Sequence, residues 1–105
     1  MTRRVAITGL GAVTALGGDV AAFADGLRHN RTGVRQPLTL FDVTGFRSSW
    51  AAEVAAPLGA QLALEQLRDD APLPLSRPDR FAIAAVEEAV RQAGLDPKLL
   101  TQAAI

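Results

Sequence analysis

Arg3-Arg4-Val5-Ala6-Ile7-Thr8-Gly9-Leu10-Gly11-Ala12-Val13-Thr14 carries a short apolar run that breaks on two glycines. Val5-Ala6-Ile7-Thr8 has the both-faces pattern of a buried parallel strand, so the run predicts a strand from Arg4 to Thr8. Gly9 and Gly11 then permit a tight turn and close packing of the backbone. Gly17-Gly18 ends the loop, and Asp19 is placed to cap a helix from Val20 to about His29. Val20, Phe23, Ala24 and Leu27 share one face of that helix, which fixes the side that packs on a sheet. Asn30 suits the left-handed residue that closes the helix, and Gly33 adds further freedom. Gly26 inside it costs about 1 kcal/mol relative to Ala.

The stretch from Val34 to Val54 has no helical period, and Pro37 interrupts it. Phe41-Asp42-Val43-Thr44-Gly45-Phe46 reads as an ordered loop anchored by two aromatic rings. Ser48 to Val54 reads as a short strand in which Trp50, Ala52 and Val54 alternate with Ser49, Ala51 and Glu53. Leu58 to Leu67 is a weaker helix, and Asp69 to Pro78 a proline-rich connector. A second strong helix follows. Ser76 with Asp79 makes a capping box, with Asp in place of the usual Glu, and Pro78 fits the first turn. Ala82, Ala85, Val86, Ala89 and Ala93 form a stripe of small residues, so this helix is expected to be deeply buried against a neighbour. Gly94 stands at the C′ position and Pro97 blocks continuation. Ala103-Ala104-Ile105 reads as the start of another buried strand. The order of strands and helices places the chain in the α/β class. No internal repeat or low-complexity tract interrupts it, and the apolar ending leads us to expect a truncated domain.

Composition narrows the function. The 105 residues are 49% hydrophobic and 21% charged, an ordinary globular balance. Eleven basic residues match eleven acidic ones. A nucleic-acid binder needs a basic excess to neutralise phosphates, so that partner is not expected. The chain has no cysteine, which removes disulfides, thiolate metal sites and thiol nucleophiles. Its one histidine, His29, lies beside Arg28 and Arg31 and reads as a solvated surface residue rather than a metal ligand. Arg3-Arg4, the apolar run and Ala22-Phe23-Ala24 imitate a secretory signal, but the interspersed glycines disfavour the helix such a signal forms. The run is also shorter than the ~20 apolar residues a membrane span requires. A cytoplasmic location without membrane contact is the expectation.

Strand, glycine turn and helix also suggest a dinucleotide site, where a pyrophosphate rests on the helix N-terminus. The local pattern is Gly9-x-Gly11-x-x-Thr14, without the third glycine. Asp19 at the helix start would oppose a phosphate, and Asp42 stands well past the ~20-residue spacing of a ribose-binding acid. The alternative is that the glycines form a tight, buried crossing loop.

Taken together, three landmarks resemble the N-terminal part of the β-ketoacyl-acyl-carrier-protein synthases, the condensing enzymes of fatty-acid and polyketide synthesis. They are the Arg3–Thr14 opening with Gly17, then Phe41-Asp42, Gly45-Phe46 and Ala52-Glu53-Val54, then Asp79-Arg80-Phe81 opening an alanine-rich helix. The resemblance implies that residues 1–105 are a partial synthase N-terminal domain, the incomplete beginning of a thiolase-like α/β fold. It also implies a homodimeric acyltransferase that works with an acyl carrier protein and needs no cofactor. The family's nucleophilic cysteine and two catalytic histidines have no counterpart here. No catalytic, cofactor-binding or metal-ligating residue is therefore assigned in this chain. Gly9 and Gly11 match as scaffold positions, and Asp79 and Arg80 as residues that pair or cap at the helix start. Asn30 stands where the family often has Gly, and residues 57–75 match nothing sharply. Two other readings stay open: a non-catalytic partner like the chain-length-factor subunits, and the dinucleotide-binding module.

Overall fold

The computed structural model describes residues 2–35, 38–55, 76–96 and 98. They belong to two compact units. One holds residues 2–11 with the segment from residue 76 onward, and the other runs from residue 12 to residue 55.

In the second unit, Thr14 and Gly17 exchange backbone hydrogen bonds of 2.9 and 3.1 Å. The Leu16 N–H donates to Thr14 Oγ1 at 3.1 Å, which completes the turn. Helix α1 follows over Val20–Arg28, where Asp19 keeps an extended backbone and its carboxylate accepts from the Ala22 N–H at 2.7 Å. That bond satisfies one of the donors a helix start leaves open. At the other end Arg31 N–H donates to the Gly26 carbonyl at 2.9 Å and Asn30 N–H to Leu27 at 3.2 Å. This is the Schellman pairing, with Asn30 in the left-handed region at φ 52°. Both the cap and the closing residue are where the sequence places them.

Gly26 is the buried residue of α1. A Cβ there would stand 3.0 Å from Leu16 Cδ1 and 3.2 Å from Leu16 Cβ. The helix-propensity cost of this glycine is thus set against a close seat for Leu16. The predicted face is only partly covered: Val20, Phe23 and Ala24 are half-buried, while Leu27 is exposed.

Two short strands pair antiparallel, β1 (Val34–Arg35) and β2 (Ala51–Ala52), in the register Val34 to Ala52 and Arg35 to Ala51. The strand expected over Ser48–Val54 is therefore real but shorter. Its alternation runs opposite to hydrophobicity, since Trp50 is 59% exposed and Glu53 only 5%. The carboxylate has hydrogen-bond donors on the inner side, and those outweigh the apolar preference of the ring. The loop after Leu40 also differs from expectation. Phe41 and Phe46 are both exposed and do not anchor it. Asp42 orders it instead, accepting from the Thr44 N–H at 2.9 Å and the Thr44 hydroxyl at 2.7 Å. The Phe46 N–H closes a turn onto Val43 at 3.1 Å, with Gly45 at φ 88°. A positive φ at that position requires glycine or a close substitute.

In the first unit, helix α2 spans Arg77–Ala93. Its capping box is complete: Asp79 N–H donates to Ser76 Oγ at 3.4 Å, and Ser76 N–H returns the bond to Asp79 Oδ2 at 3.0 Å. Pro78 occupies the first turn. The Arg77 guanidinium lies 5.2 Å from the centre of the Phe81 ring, a cation–π contact. At the C-terminal end Gly94 is left-handed at φ 69°, and Leu95 N–H donates to the Val90 carbonyl at 3.1 Å.

Two expectations for this unit fail. Residues Arg4 to Thr8 pair with no strand among the described residues, and Val5 and Ile7 are 92% and 81% exposed. A parallel strand is held by neighbours on both sides, and none of the described residues supplies one. Helix α2 is likewise not deeply buried. Val90 alone is buried among its described residues, Ala85, Ala89 and Ala93 are half-covered, and Ala82 and Val86 are exposed. The predicted helix over residues 58–67, most of the connector and the strand at 103–105 fall outside the described residues.

Candidate functional site

A close backbone approach in the first unit joins the glycine segment to α2. A Cβ on Gly11 would run into the Ala85 carbonyl oxygen and stand 2.6 Å from its carbon. One on Gly9 would meet the Ala89 carbonyl oxygen and lie 3.0 Å from the Ala93 Cβ. Gln92 braces the same segment, its Oε1 accepting from the Leu10 N–H at 2.6 Å. The spacing Gly9-x-Gly11 thus meets Ala89 and Ala85, one helical turn apart. This is the close packing that the glycines suggested. Ala85, Ala89 and Ala93 line the contact, while Ala82 and Val86 of the predicted stripe lie outside it.

This seat also bears on the dinucleotide reading. The groups nearest Gly9 and Gly11 are helix carbonyl oxygens, whose partial negative charge repels a pyrophosphate. The N-terminus of α1 is occupied by the carboxylate of Asp19. Asp42 is engaged by Thr44 in its own turn, and both Thr44 bonds hold its pKa below the usual carboxylate value, the hydroxyl contributing most. The three features that imitated a nucleotide site therefore have other work.

His29 is exposed at the end of α1, where its Nδ1 lies 2.9 Å from the Asp25 carbonyl and 3.2 Å from Asp25 Oδ1. Arg31 pairs with the other carboxylate oxygen of Asp25. An exposed cluster of this kind contributes little to stability. Among the described residues no three or more His, Asp or Glu side chains converge as metal ligands. Nor is any described helix long and apolar enough to cross a membrane.

Sequence reasoning missed Glu53, a carboxylate held by several hydrogen bonds in the second unit. Glu53 Oε1 accepts from the Thr39 N–H at 2.9 Å and the Leu40 N–H at 3.0 Å. Its Oε2 accepts from the Thr39 hydroxyl at 2.9 Å and shares the Thr39 N–H at 3.1 Å. These bonds hold the Glu53 pKa below the ordinary carboxylate value. The Leu40 N–H contributes most, burial opposes it, and the Thr39 hydroxyl, the Thr39 N–H and the charge of Arg35 add to the lowering. The alternation of the strand placed Glu53 on the outer face, so the sequence marked it only as part of the Ala52-Glu53-Val54 landmark.

These scaffold features coincide with the landmarks of a known family. The β-ketoacyl synthase N-terminal domain matches residues 2–105, and the chain belongs to that family. Among its relatives, a Streptomyces cyaneus protein named as a polyketide beta-ketoacyl synthase 1 is 44% identical over 100 residues, covering 91% of this chain and 22% of that protein. The tetracenomycin polyketide synthase ketoacyl synthase alpha subunit of Streptomyces glaucescens is 35% identical, over 90% of this chain and 21% of the relative. Nodulation protein E of Rhizobium meliloti is 34% identical, over 90% and 22%. The chain therefore spans about a fifth of the length of the curated relatives it matches. No solved structure matches it significantly.

Proposed function

We propose that the protein carrying this chain is a polyketide β-ketoacyl synthase that joins acyl and malonyl units by decarboxylative condensation. The observation that carries this reading is the family match over residues 2–105, together with relatives named for polyketide assembly. These residues act as scaffold in an α/β fold of the thiolase type. Gly9 and Gly11 let the backbone lie against α2, the capping box fixes where α2 begins, and Glu53 fixes the segment that precedes the Phe41–Phe46 loop.

The chemistry belongs to residues outside this chain, which has no cysteine. A cysteine thiolate accepts the acyl group from one thioester, expelling the donor thiolate. Loss of carbon dioxide from a malonyl-carrier thioester leaves a carbanion at the α-carbon. That carbanion attacks the enzyme-bound acyl carbonyl, the cysteine thiolate departs, and a β-ketoacyl carrier results. Two histidines assist the decarboxylation. An acyl carrier protein and a second copy of the synthase are the expected partners, and the cytoplasm is the expected location.

Relatives named as ketoacyl synthases favour this reading over a non-catalytic partner subunit. The test is an assay of the complete protein with acyl and malonyl carrier thioesters. Carbon dioxide release with formation of the β-ketoacyl product is expected. Absence of acyl transfer from a folded complete protein would give the partner reading its place. The 105-residue chain alone is expected to accept no acyl group.

A further inference from the structure

We propose that Glu53 is a charge-dependent latch, which holds the segment Leu38–Phe46 in one conformation while its carboxylate is ionised and releases it when the carboxylate is neutral. Two successive backbone N–H groups, from Thr39 and Leu40, converge with the Thr39 hydroxyl on a single carboxylate that is 5% exposed. Converging N–H groups form a concavity suited to an anion. Here the anion is a side chain of the same chain, fixed at the end of β2.

The chemistry of the acceptor explains why charge is needed. An ionised carboxylate offers only acceptors, which suits three donors arriving together. A protonated carboxyl turns one oxygen into a donor, which the Thr39 hydroxyl can accept by turning over, but the two N–H groups then face a neutral acceptor in place of a charged one and their bonds weaken. Among the described residues, the charge of Arg35 on β1 favours the ionised form of Glu53. The facing segment presents neutral donors from Thr39 and Leu40, and Asp42 further along is tied to Thr44.

What the latch controls follows from the loop. Residues 42–46 are ordered by their own bonds, from Thr44 to Asp42 and from Phe46 to Val43. Glu53 thus fixes the end of a preformed piece that exposes Leu40, Phe41 and Phe46. Release would let that piece swing while keeping its internal turn.

Backbone amide exchange in the full chain, read by residue-resolved NMR, tests this. In Glu53→Gln the protection of the Thr39 and Leu40 amides is expected to fall by about tenfold or more, while amides of α1 keep theirs. In the parent the same two amides should lose protection on acidification, through a midpoint below that of an unperturbed Glu. Unchanged protection in Glu53→Gln would overturn the proposal, as would an equal loss in α1. Should that variant fail to fold, Thr39→Val, which removes the hydroxyl and keeps both N–H donors, decides the matter. Its acid midpoint should move upward, and an unmoved midpoint would refute the latch.

Discussion

Replacing Gly11 with Ala places a methyl group where α2 already is. The added Cβ would stand 2.6 Å from the Ala85 carbonyl carbon and 3.0 Å from its Cα, and nearer still to the oxygen. Carbon atoms rest at roughly 3.5–4.0 Å, so segment and helix must part by about 1 Å. Nothing flexible can absorb this, because the obstructing atoms are helix backbone held by its own hydrogen bonds. Overpacking of this kind costs about 1–3 kcal/mol. An opposing term comes from the unfolded chain, which Ala restricts more than Gly, and it stabilises by about 0.4–1 kcal/mol. The clash wins, and separation of the two backbones would also lengthen the bond from Leu10 N–H to Gln92. Thermal unfolding is the assay, and each kcal/mol moves the midpoint of a domain this size by roughly 4–8 °C. The control is Ala82→Gln on the exposed side of α2, expected to change stability by no more than about 0.5 kcal/mol. A Gly11→Ala protein that melts with its parent would show that the segment does not lie against α2.

Two further outcomes follow from the caps and carboxylates. Ser76→Ala removes one half of the capping box and should lower stability by about 1 kcal/mol, measurable in urea unfolding. Asp42 has a folded pKa below its unfolded value, so its contribution is present above the ordinary carboxylate pKa and is lost as the pH falls through the folded one. Asp42→Asn should therefore flatten the acid limb of the stability profile and leave stability's slope near neutral pH unchanged.

Local devices were legible in the sequence, and non-local ones were not. Asp19, Asn30, the Ser76–Asp79 box and Gly94 all act on backbone groups within a few residues, so their chemistry can be read from spacing. The Gly9 and Gly11 pair was readable as close packing, although not its target on α2. The Glu53 clamp escaped because its partners, Thr39 and Leu40, lie in a loop with no periodic signal. Hydrophobicity then pointed the wrong way, assigning the inner face to Trp50 instead of Glu53. The same failing explains the two phenylalanines. Aromatic rings in a loop suggest anchoring, but here Asp42 organises the turn by accepting from the Thr44 N–H and hydroxyl two residues on.

Val5 and Ile7 carry this distinction furthest. Full burial of such side chains is worth about 1.5–3 kcal/mol each, and both stand open to solvent. A helix contains its own hydrogen bonds, so the caps and spacing that specify α1 and α2 are local even though packing supplies most of their stability. A strand has no such reserve, because every ladder bond needs another segment. The Arg4–Thr8 run therefore has the composition of a buried strand without the pairing that would make it one among the described residues. Its glycine exit is nevertheless already seated on α2. The contacts of Gly9 and Gly11 and the bond from Leu10 to Gln92 hold the exit of the apolar run against α2, while Val5 and Ile7 lie outside that contact, so burial of the run depends on pairing and not on the helix.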